Sequence, residues 1–307
     1  MRYFKEILLI VLSIILALIF LELILEVVKP QPKNSSWRVQ DEETGTYLNI
    51  KNSNAKHQYY GKIDRVSVKY KFGKYHNRIF SDNQEIAEKK NILLLGDSHI
   101  FGWLLADEHT LVYKLQNKFN EYNFINASAG GWSDIDSFNY IKKFCHLIKP
   151  TKILFYLNID RALSSNLLLL KDNKLLIKNV KINYLKKNLN SSITYKWLSE
   201  NSNLFQLIKT IYLKTNNKNF INYNQKKLKD DKIEEKNYKQ DLKLFLKLVE
   251  KIVDETEKCN SEVIFIDWGW DIKEANSKIK NIIFDELQKQ LENDQIQFVS
   301  LYNEMNK

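Results

Sequence analysis

The sequence predicts an α/β fold, a parallel sheet with helices on both faces, preceded by one transmembrane helix. Three observations predict it. Phe4–Val28 is an almost unbroken run of Leu, Ile, Val, Phe and Ala. From Asn91 onward, short apolar runs alternate with amphipathic stretches, the rhythm that a parallel sheet covered on both faces requires. Pro (3) and Gly (8) are scarce in 307 residues, so little of the chain is punctuated by turns.

The N-terminal run is long enough to cross a bilayer. As a helix, residues 4–28 span about 37 Å at ~1.5 Å per residue, against a hydrocarbon core of roughly 30 Å. Arg2 and Lys5 at its start favour a cytoplasmic N-terminus, with the remainder facing a periplasm or the exterior. Glu22 and Glu26 interrupt the run one turn apart, tolerable near the outer interface and costly at mid-bilayer. A cleaved signal peptide is the alternative. Leu25-Glu26-Val27-Val28-Lys29-Pro30 offers no small-x-small cleavage site, which favours an uncleaved signal anchor over residues 1–28.

Residues 29–76 read as a linker and extended lead-in, with Pro30, Pro32 and Ser35-Ser36 first and strand-like pieces such as Val66–Phe72 later. The main domain is expected over 77–307. Strands are expected at Asn91–Leu95, Phe124–Ala127, Lys152–Leu157, Val263–Asp267 and Phe298–Leu301. Between them, helices are expected over Asp107–Phe119, from the Ser133/Asp136 capping box to Pro150, over Tyr238–Glu257 and over Lys273–Leu291. An insertion at about 161–235 breaks the alternation. It contains a hairpin around Lys171-Asp172-Asn173-Lys174 and a helical stretch at 193–214, and the charged residues 226–240 read as a loop.

Charge and cysteine usage narrow the function classes. The net charge is +10, but the lysines are spread along the whole chain among Asp and Glu, without a helix-turn-helix, zinc-finger or RNA-binding pattern. Nucleic acid is therefore not expected as a partner, and an anionic membrane surface or an acidic glycan suits the charge better. Two cysteines, Cys145 and Cys259, do not make a disulfide scaffold, and both read as buried free thiols. No Cys/His cluster has metal-ligand spacing, and no metal or cofactor is expected.

The chemistry concentrates after the first three strands of the main domain. Leu93-Leu94-Leu95 runs into Gly96-Asp97-Ser98, with Gly102 four residues after the serine. A serine at the carboxyl end of a parallel strand presents its hydroxyl where ligands bind in open α/β sheets. Ser98 capping a helix with no chemistry is the competing interpretation. After the second strand comes Asn126-Ala127-Ser128-Ala129-Gly130-Gly131, and after the third Leu157-Asn158-Ile159-Asp160.

Gly96-Asp97-Ser98 with Gly102 resembles the first block of the SGNH/GDSL hydrolases, and Asn126–Gly131 resembles the second. The resemblance covers roughly residues 77–301. It implies a flavodoxin-like, three-layer sandwich and serine-dependent ester hydrolysis or acyl transfer, with no cofactor. Carried over residue by residue, it makes Ser98 the nucleophile, supported by Gly96 and Asp97. It makes the Gly131 N–H an oxyanion-hole donor. The family's third donor is an asparagine side chain, matched by Asn158, whereas an ungapped register would put Asp160 there. Members with such an anchor act outside the cytoplasm on acyl esters, including those of cell-surface glycans.

The family's fourth block, an aspartate and a histidine three residues later, has no match. The histidines are His57, His76, His99, His109 and His146, none in the C-terminal part. A serine hydroxyl needs a base to become a good nucleophile at neutral pH. Two expectations follow: an active hydrolase whose base lies beyond Lys307 or is supplied unusually, or a catalytically inactive protein that keeps the cleft to bind a glycan or an acylated ligand. A purely structural role through an aromatic patch at Trp268-Gly269-Trp270 is a third.

Overall fold

The computed structural model describes residues 2–60, 65–80, 89–158, 167–171, 174–178, 182–216, 238–267, 285–292 and 296–301. Asp160, the stretch 226–237, the first part of the Lys273–Leu291 helix and Trp268-Gly269-Trp270 lie outside them. The described elements in chain order begin with α1 (Arg2–Val28), β1 (Lys33–Asn34), β2 (Arg38–Gln40), β3 (Tyr47–Asn49), β4 (Ser53–Tyr60), β5 (Arg65–Phe72), β6 (Arg78–Ile79) and β7 (Lys90–Leu95). Then come α2 (Ser98–Phe101), α3 (Leu111–Lys118), β8 (Tyr122–Asn126), α4 (Asp134–Ile148) and β9 (Lys152–Leu157). The remainder is β10 (Leu168–Lys171), β11 (Lys174–Ile177), α5 (Tyr184–Ser191), α6 (Ile193–Asn201), α7 (Asn203–Asn216), α8 (Tyr238–Glu257), β12 (Glu262–Asp267) and β13 (Gln297–Ser300). They form two compact units, one of residues 1–37, 55–69 and 188–230, the other of 38–54, 70–187 and 231–307.

The larger unit is built on a sheet in the order β6-β8-β7-β9-β12-β13. Five of these strands are mutually parallel, with Leu93 facing Ile125 on one side and Ile153 on the other, and Phe265 between Phe155 and Phe298. Numbered by their occurrence in the chain, the five lie in the order 2-1-3-4-5, the flavodoxin-like arrangement. β6 continues the sheet beyond β8 in the antiparallel sense, and the end of β5 pairs with it in turn, Lys71 facing Ile79 and Phe72 facing Arg78.

The strands read as continuous apolar runs because both faces are covered. Leu93, Leu95, Ile153, Phe155, Val263 and Phe265 point to one layer, where they meet Ile135, Ile141 and Phe144 of α4 and Phe245, Val249 and Ile252 of α8. The alternate residues Ile92, Leu94, Phe124, Tyr156 and Ile266 point the other way, toward Val112 of α3. Each buried Leu, Ile or Phe contributes about 1.5–3 kcal/mol, so the two layers hold the sheet between them.

Helix starts and stops follow local chemistry. Asp136 accepts the Ser133 N–H at 2.9 Å at the start of α4, and Lys149 in the left-handed region ends it before Pro150. The expected helix over Asp107–Phe119 is instead a 3-10 turn, Asp107–His109, followed by α3, because the Thr110 hydroxyl caps a new helix by accepting from the Tyr113 N–H.

Two expectations change. Cys145 and Cys259 are not free thiols: they form a disulfide, with Cα atoms 6.0 Å apart across a sequence separation of 114. α8 packs on α4, which brings the two positions together in a way that spacing alone hides. The lead-in is also far from irregular, since β1 to β6 all fall between Lys33 and Ile79. Their polar residues, such as Lys56, Gln58 and Arg78, conceal the period-two pattern.

In the smaller unit, α1 is long and apolar enough to cross a membrane, with mean hydropathy 3.2 over an 18-residue window within Tyr3–Val28. Its two carboxylates end at α7. Glu22 accepts the Leu204 N–H at 3.0 Å, the Ser202 hydroxyl at 2.8 Å and the Asn203 side-chain amide at 3.0 Å. Glu26 accepts from the Asn203 amide and, at 2.8 Å, from Lys33. A carboxylate at a helix N-terminus meets both unpaired N–H groups and the positive end of the helix dipole. The expected helix over 193–214 is two, α6 and α7, broken at Ser202 where these bonds are made.

Candidate active site

Ser98, Gly131 and Asn158 each follow a different parallel strand. β7 and β9 flank the point where the strand order reverses, and ligands of doubly wound sheets bind at the carboxyl ends beside such a point. The loop after β7 places Asp97 as N-cap of α2, its Oδ1 accepting the His99 N–H at 2.9 Å, so that Ser98 becomes the first helical residue and is half-buried.

Asp97 also reaches the third strand. Its Oδ2 accepts from Asn158 Nδ2 at 3.1 Å. The Asn158 backbone N–H is held by both carboxyl oxygens of Asp134, at 2.9 and 3.1 Å. Asn158 is thus fixed at backbone and side chain, with its amide beside the Gly-Asp-Ser turn. Asp160, its rival, lies outside the described residues. Asp134 is fully buried, and its pKa is pushed up to about 8. Desolvation is the main cause, the nearby charges of Asp97 and Asp136 add to it, and the Asn158 N–H opposes it.

The second turn is tied to the first through its backbone. Ala127 N–H donates to Leu94 O at 3.0 Å and Ala129 N–H to Gly96 O at 3.4 Å, while Asn126 Nδ2 donates to Ile100 O at 3.1 Å. Gly131 has φ +83 and is exposed, a conformation that side-chain-bearing residues rarely adopt. Arg38 donates to Gly130 O, and a Cβ on Gly131 would lie 3.2 Å from its Nη1, so a guanidinium stands beside this turn.

Below α2, Arg78 fixes the loop that follows. Its buried guanidinium donates to Phe101 O at 3.0 Å, Gly102 O at 2.8 Å and Leu105 O at 2.9 Å, and pairs with Asp107 at 2.6 Å. Gly102 has φ +76 against Thr110 and Arg78, where a Cβ would come within 2.7 Å of Thr110 Cγ2.

A serine, a glycine turn tied to it and an asparagine amide thus converge at the carboxyl ends of β7, β8 and β9. The chain is similar in fold to lipolytic hydrolases of the G-D-S-L family. A member of the lipolytic protein G-D-S-L family from Veillonella parvula matches at 10% identity over 70% of this chain and 79% of its own, with TM-score 0.37. The psychrotrophic esterase EstA from Pseudoalteromonas sp. matches at 13% over 69% and 77%, with TM-score 0.36. TesA matches at 9% over 68% and 77%, with TM-score 0.38. No protein-family model and no curated protein matches the chain. At such identities the G-D-S-L likeness transfers no role to any residue.

The histidines are scattered. His99 follows Ser98 but is exposed, and His109 and His146 are exposed on helices. His76 is bound through Nδ1 to Asn49 O and packs on Phe144, its pKa lowered mainly by burial. His57 belongs to the smaller unit, edge-on to Trp37. Among the described residues no histidine hydrogen-bonds the Ser98 hydroxyl. Asp134, Arg38 and Arg78 escaped the sequence reading. Asp134 looks there like an ordinary acidic first-turn residue, and isolated arginines in a polar lead-in carry no signal.

Proposed function

We propose that this chain is a serine-dependent ester hydrolase or O-acyltransferase, anchored by α1 and acting on acyl esters, including those of cell-surface glycans, outside the cytoplasm. The observation that carries the reading is the Asp97 bridge, which holds Asn158 from the end of β9 beside Ser98 at the end of β7. Ser98 Oγ would attack the ester carbonyl. The N–H groups of Ser98 and Gly131, with the Asn158 amide, would meet the developing oxyanion, and each such donor is worth about 10²–10³ in rate. The alcohol of the ester leaves, taking up the proton given up by the serine hydroxyl, and the acyl group then passes from Ser98 Oγ to water or to a sugar hydroxyl, whose proton restores the serine. The Cys145–Cys259 bond supports an extracytoplasmic domain, since disulfides persist in oxidising compartments, and Arg2 and Lys5 before α1 support a cytoplasmic N-terminus.

A second reading is favoured by the absence of a histidine bonded to Ser98 among the described residues: the same cleft in an inactive glycan- or acyl-binding protein. Two measurements separate them. The first reading expects full-length protein to hydrolyse p-nitrophenyl acetate and to capture a fluorophosphonate probe, both lost in Ser98→Ala. Equal turnover by the two proteins, without labelling of Ser98, would leave the binding reading standing.

A further inference from the structure

Besides α1, the smaller unit carries apolar side chains that are exposed on two further helices. Ile193 and Trp197, one turn apart on α6, are 86% and 60% exposed. On α7, Ile208, Ile211 and Tyr212 share a face at spacings i, i+3 and i+4 and are 54–65% exposed, with Leu213 beside them at 46%. Water-facing helices normally put their apolar stripe inward. Here the fully buried residues of α7 are the polar Asn203 and Gln206, near its start, and the helix grows more exposed toward its end.

The carboxylates of α1 fix the level at which this surface sits. A span of roughly 20 residues covers the hydrocarbon core, so with Lys5 at the inner boundary Glu22 falls within about one turn of the outer one. Glu22 and Glu26 bind Ser202, Asn203 and Leu204, and the Gln31 N–H donates to the Asn203 side-chain oxygen at 2.9 Å. The start of α7 is therefore stitched to α1 where α1 leaves the bilayer. Ile208 to Leu213 follow within about 8–15 Å along the helix at ~1.5 Å per residue, so they stay within roughly two headgroup depths of that boundary. The polar residues suit the same boundary. Lys209 lies over the Tyr195 ring at 5.5 Å, Lys196 and Lys214 are on the same two helices, and Trp and Tyr are the side chains enriched at membrane interfaces.

We infer that α6 and α7 form a second membrane contact, lying in the outer interface with Ile193, Trp197, Ile208, Ile211, Tyr212 and Leu213 in lipid. The occupant of this face is the bilayer that α1 enters, because α7 packs on α1 and its start is tied to α1 by the two carboxylates. This rests on the reading of α1 as a membrane span.

The test uses full-length protein in vesicles of phosphatidylethanolamine and phosphatidylglycerol, spin-labelled singly through Leu16→Cys, Ile208→Cys, Ile211→Cys or Glu250→Cys. The native cysteines are consumed by their disulfide, so only the introduced thiol reacts. The oxygen-to-nickel accessibility ratio is expected to rise at 208 and 211 toward the value at 16 and well above that at 250. Water-like values at 208 and 211 with a lipid-like value at 16 would overturn the inference and leave the anchor intact. A water-like value at 16 as well would remove the anchor reading and the inference together. Shielding of 208 and 211 from both reagents, with spin–spin broadening that disappears on dilution with unlabelled protein, would assign the face to a second copy of the chain and overturn the inference.

Discussion

Replacing Cys145 and Cys259 together by alanine removes a covalent tie between the last turn of α4 and the end of α8. The tie closes a loop of 114 residues. In the chain-entropy description, a loop of that length lowers the entropy of the unfolded chain enough to stabilise the fold by about 4.8 kcal/mol at 25 °C, and measured disulfides return about 2–5 kcal/mol. Both sulfurs are buried among Phe144, Ile148 and Ser261, so alanine leaves small apolar gaps and no unpaired polar atom. With a urea dependence of roughly 3 kcal/mol per molar, the unfolding midpoint of the larger unit should fall by about 1 M. The assay is urea unfolding of the detergent-solubilised full chain, followed by near-ultraviolet circular dichroism, for oxidised, reduced and double-alanine protein. Reduced and double-alanine protein should coincide below the oxidised midpoint. Coincidence of all three, or two titratable thiols in protein recovered from an oxidising compartment, would refute the reasoning.

Arg78→Met should lower the thermal midpoint by roughly 10 °C, because three loop carbonyls and Asp107 lose a buried cationic partner, a change that typically costs 3–5 kcal/mol; differential scanning calorimetry reads it, and an unchanged midpoint would contradict the assigned bonds. Asp134, with its pKa raised by burial from 3.8 to about 8, keeps its proton in the folded state long after the unfolded chain has lost it. Its contribution to stability is therefore fully present below about pH 4 and is lost as pH rises toward 8, by at most about 1.4 kcal/mol per pH unit. Asp134→Asn, which keeps an acceptor for the Asn158 N–H, should flatten the fall of thermal midpoint over that window. Parallel slopes for the two proteins would mean that Asp134 ionises normally.

The central strands and the turns that follow them were legible because two-sided burial writes itself as apolar runs, as at Leu93-Leu94-Leu95 and Ile153–Leu157, and because glycines mark where the backbone must turn. α8 was legible for the same reason, with Leu242, Phe245, Val249 and Ile252 on one face. In the lead-in Val66–Phe72 was legible and is β5, whereas β2 and β6 were not, because Arg38–Gln40 and Arg78–Ile79 are too short to show a period and are held by polar partners instead. At the site, Ser98 and Gly131 announced themselves by local pattern. The pairing of Asp134 with the Asn158 backbone depends on how α4 docks against β9, which no local window contains. The disulfide was hidden in the same way, since each cysteine sits in an apolar helical context that a free thiol would suit equally well.

The two halves of that disulfide stand at the doorsteps of neighbouring strands. Cys145 lies in the last turn of α4, shortly before the chain enters β9, and Cys259 lies just before it enters β12, where the Glu262 N–H meets Thr151 O at 3.1 Å. During synthesis, β8 and β9 each emerge to find β7 already made, whereas β12 must locate β9 from the far side of the whole 161–235 stretch. Once the bond has closed, the start of β12 is held near the start of β9 and far less chain separates the two strands. A slip of one position would turn Val263 and Phe265 to the wrong layer, and a strand tethered this close has fewer positions to sample before it meets the right one.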